Sequence, residues 1–164
     1  MCMYSNKLLK IATRKIECYK VILEWSEFPD LVAYNPEFLH HETPYQRKLI
    51  SLEQIKGKKP FKAKGFTERT RAVVGNRDFG KFIYEGGLIH TYQSLEDIKR
   101  DFRFGMWNKD AVKVYKCYIT PGTRYVDGID GSSDTACYAS KKIVFGEEIS
   151  LCGISPYFES DNNN

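Results

Sequence analysis

The sequence predicts a single α+β domain over residues 1–160, built on a mostly antiparallel, strongly twisted sheet with one or two short helices, and a disordered polar tail over 161–164. Three observations carry this prediction. Runs of alternating apolar and polar residues outnumber stretches with helical periodicity. Residues 86–119 read as strand, capped helix, strand. The 164 residues contain no internal repeat and no linker, and a chain of that length buries most of the surface its unfolded form exposes.

Residues 1–13 give a short apolar and basic start. Over 15–25, Ile16, Cys18, Lys20 and Ile22 alternate with Tyr19, Val21, Leu23 and Trp25, which predicts a long first strand. Pro29, Pro36 and Pro44 then exclude a long helix, so 28–45 reads as turns with short extended pieces tacked down by Phe28, Tyr34, Phe38 and Tyr45. Ser51 and Gln54 have capping-box spacing, and Gly57 ends whatever helix they start within about two turns. Residues 56–66 mix lysines with Pro60, Phe61 and Phe66, and 75–80, containing Asn76, Arg77 and Asp78, reads as an exposed loop.

The second half is more regular. A strand over 88–92 stops at Gln93, Ser94 is placed as an N-cap with Asp97 at N3, and Leu95, Ile98 and Phe102 share one helical face. Over 111–120, Val112, Val114, Lys116 and Tyr118 share one face, and Lys113, Tyr115, Cys117 and Ile119 the other. Thr120-Pro121-Gly122-Thr123 predicts a type II turn, after which the chain folds back over 124–126. Residues 127–134, rich in Asp, Gly and Ser, read as a loop, and 136–139 and 143–151 supply the last strands. The centre of the sheet is expected from 15–25, 88–92, 111–120 and 143–151.

The charge is unevenly spread. The formal net charge is +4, yet Lys56, Lys58, Lys59, Lys62, Lys64, Arg69 and Arg71 fall within sixteen residues opposed by Glu68 alone. Five cysteines with no Cys-x-x-Cys pair argue against a disulfide framework and a zinc knuckle, leaving free core thiols. No stretch approaches the roughly 18 apolar residues of a membrane span, and the first residues lack a signal-peptide core. The expected setting is reducing and cytoplasmic, with no membrane partner.

Candidate chemistry is sparse. His90 follows Gly86 and Gly87 within a strand, and fits either a packed core histidine or a hydrogen-bonding group in a cleft floored by the glycines and walled by Tyr84 and Tyr92. The basic, aromatic-bearing stretch 56–71 has the composition of a phosphate or nucleic-acid binder and equally that of a solvated loop. His40 and His41 lack a third spaced ligand, and Asp127, Asp130 and Asp134 lack EF-hand spacing, so no metal site is expected. Glu147 and Glu148 are adjacent on a strand, point to opposite faces and cannot act as a carboxylate pair.

Several segments carry resemblances. The opening Met-Cys-Met-Tyr-Ser-Asn, the strand around Cys18-Tyr19-Lys20-Val21, the stretch Gly87 through Tyr92, the turn around Pro121-Gly122 and Tyr138-Ala139-Ser140-Lys141-Lys142-Ile143 resemble small uncharacterised proteins of gut bacteria and their phages. That resemblance implies a phage- or mobile-element-encoded protein and brings no established activity. The glycine-aromatic strand before a short helix, the Pro-Gly turn and the late glutamates also resemble the ADP-ribosyltransferase-like fold. That resemblance implies NAD as cofactor, Gly87 through Tyr92 lining a nicotinamide pocket, and Glu147 or Glu148 stabilising an oxocarbenium, with Glu148 the candidate catalytic residue. The chain departs from the pattern at Cys18-Tyr19-Lys20, where an Arg or His holds the dinucleotide, and in having no Glu-x-Glu.

With no complete catalytic set, the leading expectation is a non-enzymatic protein, without cofactor, that captures a phosphate-bearing, nucleotide-like ligand or inhibits a host protein. Its contacts are expected from His90, Tyr92, Gly86, Gly87, Lys62, Lys64, Arg69 and Arg71, with nucleic acid among the anionic partners. The alternatives are the NAD-using enzyme and a pure protein–protein interaction module.

Overall fold

The computed structural model describes residues 3–5, 9–24, 31–33, 60–62, 72–74, 83–85, 88–101, 112–130, 134–152 and 154. In chain order these form β1 (Met3–Ser5), β2 (Lys10–Ile11), β3 (Ile16–Glu24), β4 (Leu31–Ala33), β5 (Pro60–Lys62), β6 (Ala72–Val74), β7 (Ile83–Glu85), β8 (Ile89–Tyr92), helix α1 (Leu95–Asp101), β9 (Val112–Ile119), β10 (Arg124–Asp130), β11 (Ala136–Ser140) and β12 (Lys142–Ile149). The strands join one sheet in the order β5-β12-β9-β3-β8-β11-β10-β1-β6-β7, with β2 on β10 and β4 on β3. Among the described pairings β1 with β6 is parallel and the rest are antiparallel. The described chain is thus mostly β with one short helix, and the four runs expected at the centre lie side by side as β12-β9-β3-β8. No described helix is long and apolar enough to cross a membrane. The helix expected after Ser51, the loop over 75–80, Phe102 and the tail 161–164 lie outside the described residues.

One covalent fact shapes the sheet. β11 ends at Ser140 and β12 begins at Lys142, yet β9, β3 and β8 stand between them in the strand order. In a flat sheet four strand spacings would hold them about 19 Å apart. From Ser140 to Lys142 the chain reaches about 7 Å at most. The five strands β12-β9-β3-β8-β11 therefore curl into a barrel closed by the Lys141 corner.

The side chains agree with this closure. Cys18, Ile22, Ile89, Tyr115, Phe145 and Ile143, drawn from β3, β8, β9 and β12, pack into one buried cluster, against which Tyr125 of β10 and Tyr138 of β11 also lie. β3 and β9 stay in register from Ile16↔Ile119 to Leu23↔Val112, so Cys18, Tyr115, Cys117 and Ile119 face inward together. On the outer face Val21, Tyr92, Val112 and Val114 pack with Ile98 of α1 and with Ile154. A third cluster, Leu88, Val126, Cys137 and Ala139, covers the β8–β11–β10 side.

Local chemistry sets the helix and the turn. The Asp97 N–H donates to Ser94 Oγ at 3.1 Å, the cap expected from the sequence, and the Ala136 N–H donates to Asp97 Oδ1 at 3.3 Å, tying α1 to β11. Thr123 N–H donates to the Thr120 carbonyl at 3.1 Å, and Gly122 has φ of 81°, as a type II turn requires.

Two sequence expectations need correction. The chain leaving this turn does not fold back onto β9, because β12 and β3 occupy both edges of that strand and β10 pairs with β11, β2 and β1. A type II turn splays its flanking strands, whereas hairpins favour the primed types. The loop expected from residue 127 begins later, since β10 runs to Asp130 with Asp127↔Tyr138 and Gly128↔Cys137 in ladder. Pairing on both sides of β10 overrides the turn-forming composition, and Lys10 neutralises Asp127 at 2.7 Å.

β12 carries a bulge. Phe145 faces Cys117 and Glu148 faces Tyr115, three steps on one strand against two on the other. Within it, a Cβ on Gly146 would lie 2.8 Å from Tyr118 Cε2 and 3.0 Å from the Lys116 carbonyl oxygen, so the position takes no larger residue without movement.

Phe145 is 1% exposed and meets Tyr115 edge to face at 5.7 Å, so Phe145→Ala is expected to cost about 3–5 kcal/mol in chemical denaturation, the range for emptying a buried aromatic site. A loss below about 1 kcal/mol would place Phe145 outside the closed interior. Gly122→Ala has open space around the new methyl, and its expected cost of about 1–2 kcal/mol comes from the left-handed backbone alone.

Candidate functional site

Inside the barrel the alternation of β3 places a charge among apolar neighbours. Lys20 follows Cys18 and precedes Ile22 on the inward face, is 5% exposed, and donates from Nζ to the His90 carbonyl at 2.7 Å. β3 and β8 share one register pair, Tyr19↔Tyr92. Beyond it the ammonium takes the place of ladder bonds between the two strands. Burial brings the Lys20 pKa down to about 8, with Cys117 and Cys18 pushing the other way. Those two cysteines face each other in register, and burial pushes the Cys18 thiol up to about 12 and the Cys117 thiol well above its ordinary value. Both stay protonated at neutral pH and are poor nucleophiles.

His90 and Tyr92 are each 6% exposed. Neither ring nitrogen of His90 has a hydrogen-bond partner among the described residues, and burial first, with the Lys20 charge second, brings its pKa down to about 3. A neutral, enclosed imidazole brings no positive charge to a phosphate. Tyr92 packs with Val21 and Ile98 beneath α1.

The late carboxylates part as their strand alternation requires. Glu147 pairs with Lys116 at 3.3 Å, and Lys116 also lies 3.6 Å from Glu17, which accepts a hydrogen bond from Tyr19. Glu148 is exposed and accepts from the Tyr115 hydroxyl at 3.4 Å.

At one end of the barrel, by contrast, basic residues gather. The Ala12 N–H donates to the Thr123 carbonyl at 2.9 Å, Gly122 N–H to the Ala12 carbonyl at 2.8 Å, and Lys141 N–H to the Arg124 carbonyl at 3.0 Å. Three backbone bonds thus bind the segment before β3, the turn before β10 and the β11–β12 corner into one surface. It carries Lys10, Arg14, Lys15, Arg124, Lys141 and Lys142, while residues 9–16, 120–125 and 140–142 contain no acid. Arg14, Lys15 and Arg124 are exposed, and Ile11 beside them is 63% exposed. β5 adds a fourth segment, because Lys62 pairs in register with Lys142. Among the described residues, the carboxylates of Asp127 and Glu17 lie near this surface and against Lys10 and Lys116.

Of the residues expected to bind ligand, Lys62 is thus placed on a strand at the basic end, while His90 and Tyr92 are enclosed. Gly86, Gly87, Lys64, Arg69 and Arg71 lie outside the described residues. Sequence reasoning missed Arg14, Lys15, Arg124, Lys141 and Lys142, whose shared signal is a basic residue or pair at the start of a strand. It also passed over Lys20, visible as a charge in the apolar register of β3. Compared with known protein families, curated proteins and solved structures, the chain matches none.

Two pH effects follow. The unfolded chain protonates His90 near its ordinary 6.5 and the folded chain near 3, so stability falls as pH drops through that window, by about 1.4 kcal/mol per unit at most. Urea titrations of wild type and His90→Leu should diverge in pH dependence there, and parallel curves would show that His90 titrates freely. For Lys20 the folded pKa near 8 lies below the unfolded 10.5, so its contribution makes stability rise with pH across that range. Cys18 and Cys117 act oppositely above pH 9, and the difference between wild type and Lys20→Met isolates the lysine.

Proposed function

We propose that the protein is a non-enzymatic binder of a phosphate-bearing ligand and that the basic end of the barrel receives it. The observation that carries this reading is the convergence of three separate segments, bearing Lys15, Arg124 and Lys142, on a surface whose nearby carboxylates among the described residues, Asp127 and Glu17, lie against Lys10 and Lys116. Such a surface attracts an anion, speeds its arrival, and weakens with salt. Arginine contributes geometry as well as charge, since its planar fork meets two phosphate oxygens at once. Arg14 and Arg124 are the residues placed for this.

The buried groups support binding over turnover. Lys20, Cys18 and Cys117 are enclosed, and both thiols are held protonated. Glu148 touches Tyr115 at the barrel's rim, on a part of β12 remote in sequence from the Lys142 start.

Inorganic tripolyphosphate at low ionic strength should raise the melting temperature, and added salt should reduce the shift. In Arg14→Ala/Arg124→Ala it should largely disappear, while Glu148→Gln should retain it. A shift absent at low salt, or indifferent to the two arginines, would overturn the assignment. Release of nicotinamide from NAD that is lost in Glu148→Gln would replace binding with the ADP-ribosyltransferase-like reading.

A further inference from the structure

Tyr118 stands near this basic end on the outer face of β9, between Val144 of β12 and Glu17 of β3 in register. Its ring is backed by β12 at Gly146, in space that a Cβ would fill at 2.8 Å from Cε2. Over the ring stands the ammonium of an exposed lysine, Lys15 Nζ, 4.4 Å from the centroid. Lys142 precedes Val144 by two residues and so lies on the same face as Tyr118, toward the same end. Among the described residues, Glu17 and Glu147 on this face share Lys116 as their cation.

We propose that Tyr118 is a stacking platform for a nucleobase whose adjoining phosphate is taken by Lys15 and Lys142, so that the ligand of the basic end is a nucleotide unit and not a bare polyanion. This inference rests on the anion-binding reading of that end.

An ammonium over an aromatic face is held by the ring's quadrupole, a weaker attraction at an exposed site than that of a phosphate dianion. A phosphate arriving between Lys15 and Lys142 draws the ammonium off the ring. The uncovered face then accepts a base, and because every base has a π-face the platform tolerates any sequence. The absent side chain at Gly146 matters here, since the ring must lie close on β12 to present its face outward. The same chemistry is offered by a free nucleotide and by one residue of a single strand.

The test uses the full chain and three probes at fixed low salt: a short labelled oligothymidylate, an abasic phosphodiester chain of equal length, and thymidine monophosphate as competitor. Wild type should bind the base-bearing chain about tenfold more tightly than the abasic one, the order expected for one stacked base. Tyr118→Leu should erase that preference and Tyr118→Phe should keep it, which separates stacking from a general loss of structure. Lys15→Ala should weaken both chains and make the negative slope of log affinity against log salt shallower by about 0.7, the value for one single-strand phosphate contact. Competition by the monophosphate identifies a free nucleotide as sufficient, and its failure beside a binding oligomer identifies the single strand. Equal affinity for base-bearing and abasic chains, or no effect of Tyr118→Leu, overturns the platform and leaves the anion site standing. Failure of both chains and of tripolyphosphate overturns the two readings together.

Discussion

A single residue between two strands that are not sheet neighbours governs the rest of the molecule. Because Lys141 alone separates β11 from β12, the strands ordered between them must wrap round, and a sheet that wraps has an inside. Everything apolar on the inward faces of β3, β9 and β12 then becomes mutually buried, with Ile22, Cys117, Ile119 and Ile143 at 0% exposure. Closure by a covalent corner also fixes which loops meet. The Lys141 N–H reaches the Arg124 carbonyl, the turn before Arg124 is clasped by Ala12, and three separate segments share one rim.

That wrapping explains a division in what the sequence discloses. The faces of β9 were legible because alternation is a property of one strand, and Tyr115, Cys117 and Ile119 turn inward as their spacing requires. The Ser94 cap and the Pro121-Gly122 turn were legible because their bonds close within four residues. β10 was misread beyond Asp127, since neighbours on both sides hold an Asp-Gly stretch extended that alone would turn. The basic rim was illegible for the same reason. Arg14, Arg124 and Lys142 become neighbours through the curl, which no local pattern announces.

Lys20 lies between these cases. A charged residue in the dry register of a strand can be seen in the sequence, but its acceptor, the His90 main-chain oxygen, belongs to a strand seventy residues on. The buried charge is met by a hydrogen bond to the His90 carbonyl at 2.7 Å, where β3 and β8 share one register pair, Tyr19↔Tyr92. Burial lowers the His90 proton affinity, and the enclosed Lys20 charge lowers it further. The electrostatics of the core and those of the rim are thus separate matters: the first concerns one enclosed cation donating to a carbonyl, the second a set of basic side chains at the surface, of which Lys10 lies against Asp127.

The bulge in β12 has a consequence of parity. Counting evenly from Phe145, Glu147 would fall opposite Tyr115 and Glu148 opposite Val114, in the apolar layer beneath α1. The extra residue shifts the count by one, so Ile149 lies opposite Val114 and Glu148 is carried to the Tyr115 rim. A deletion of Gly146 would therefore leave an even ladder, with Glu147 opposite Lys116 and Glu148 and Ile149 still opposite Tyr115 and Val114. Flattening the bulge with Gly146 kept would instead invert the inside and outside of every residue after it, placing the Glu148 carboxylate opposite Val114 in the apolar layer where Ile149 now lies.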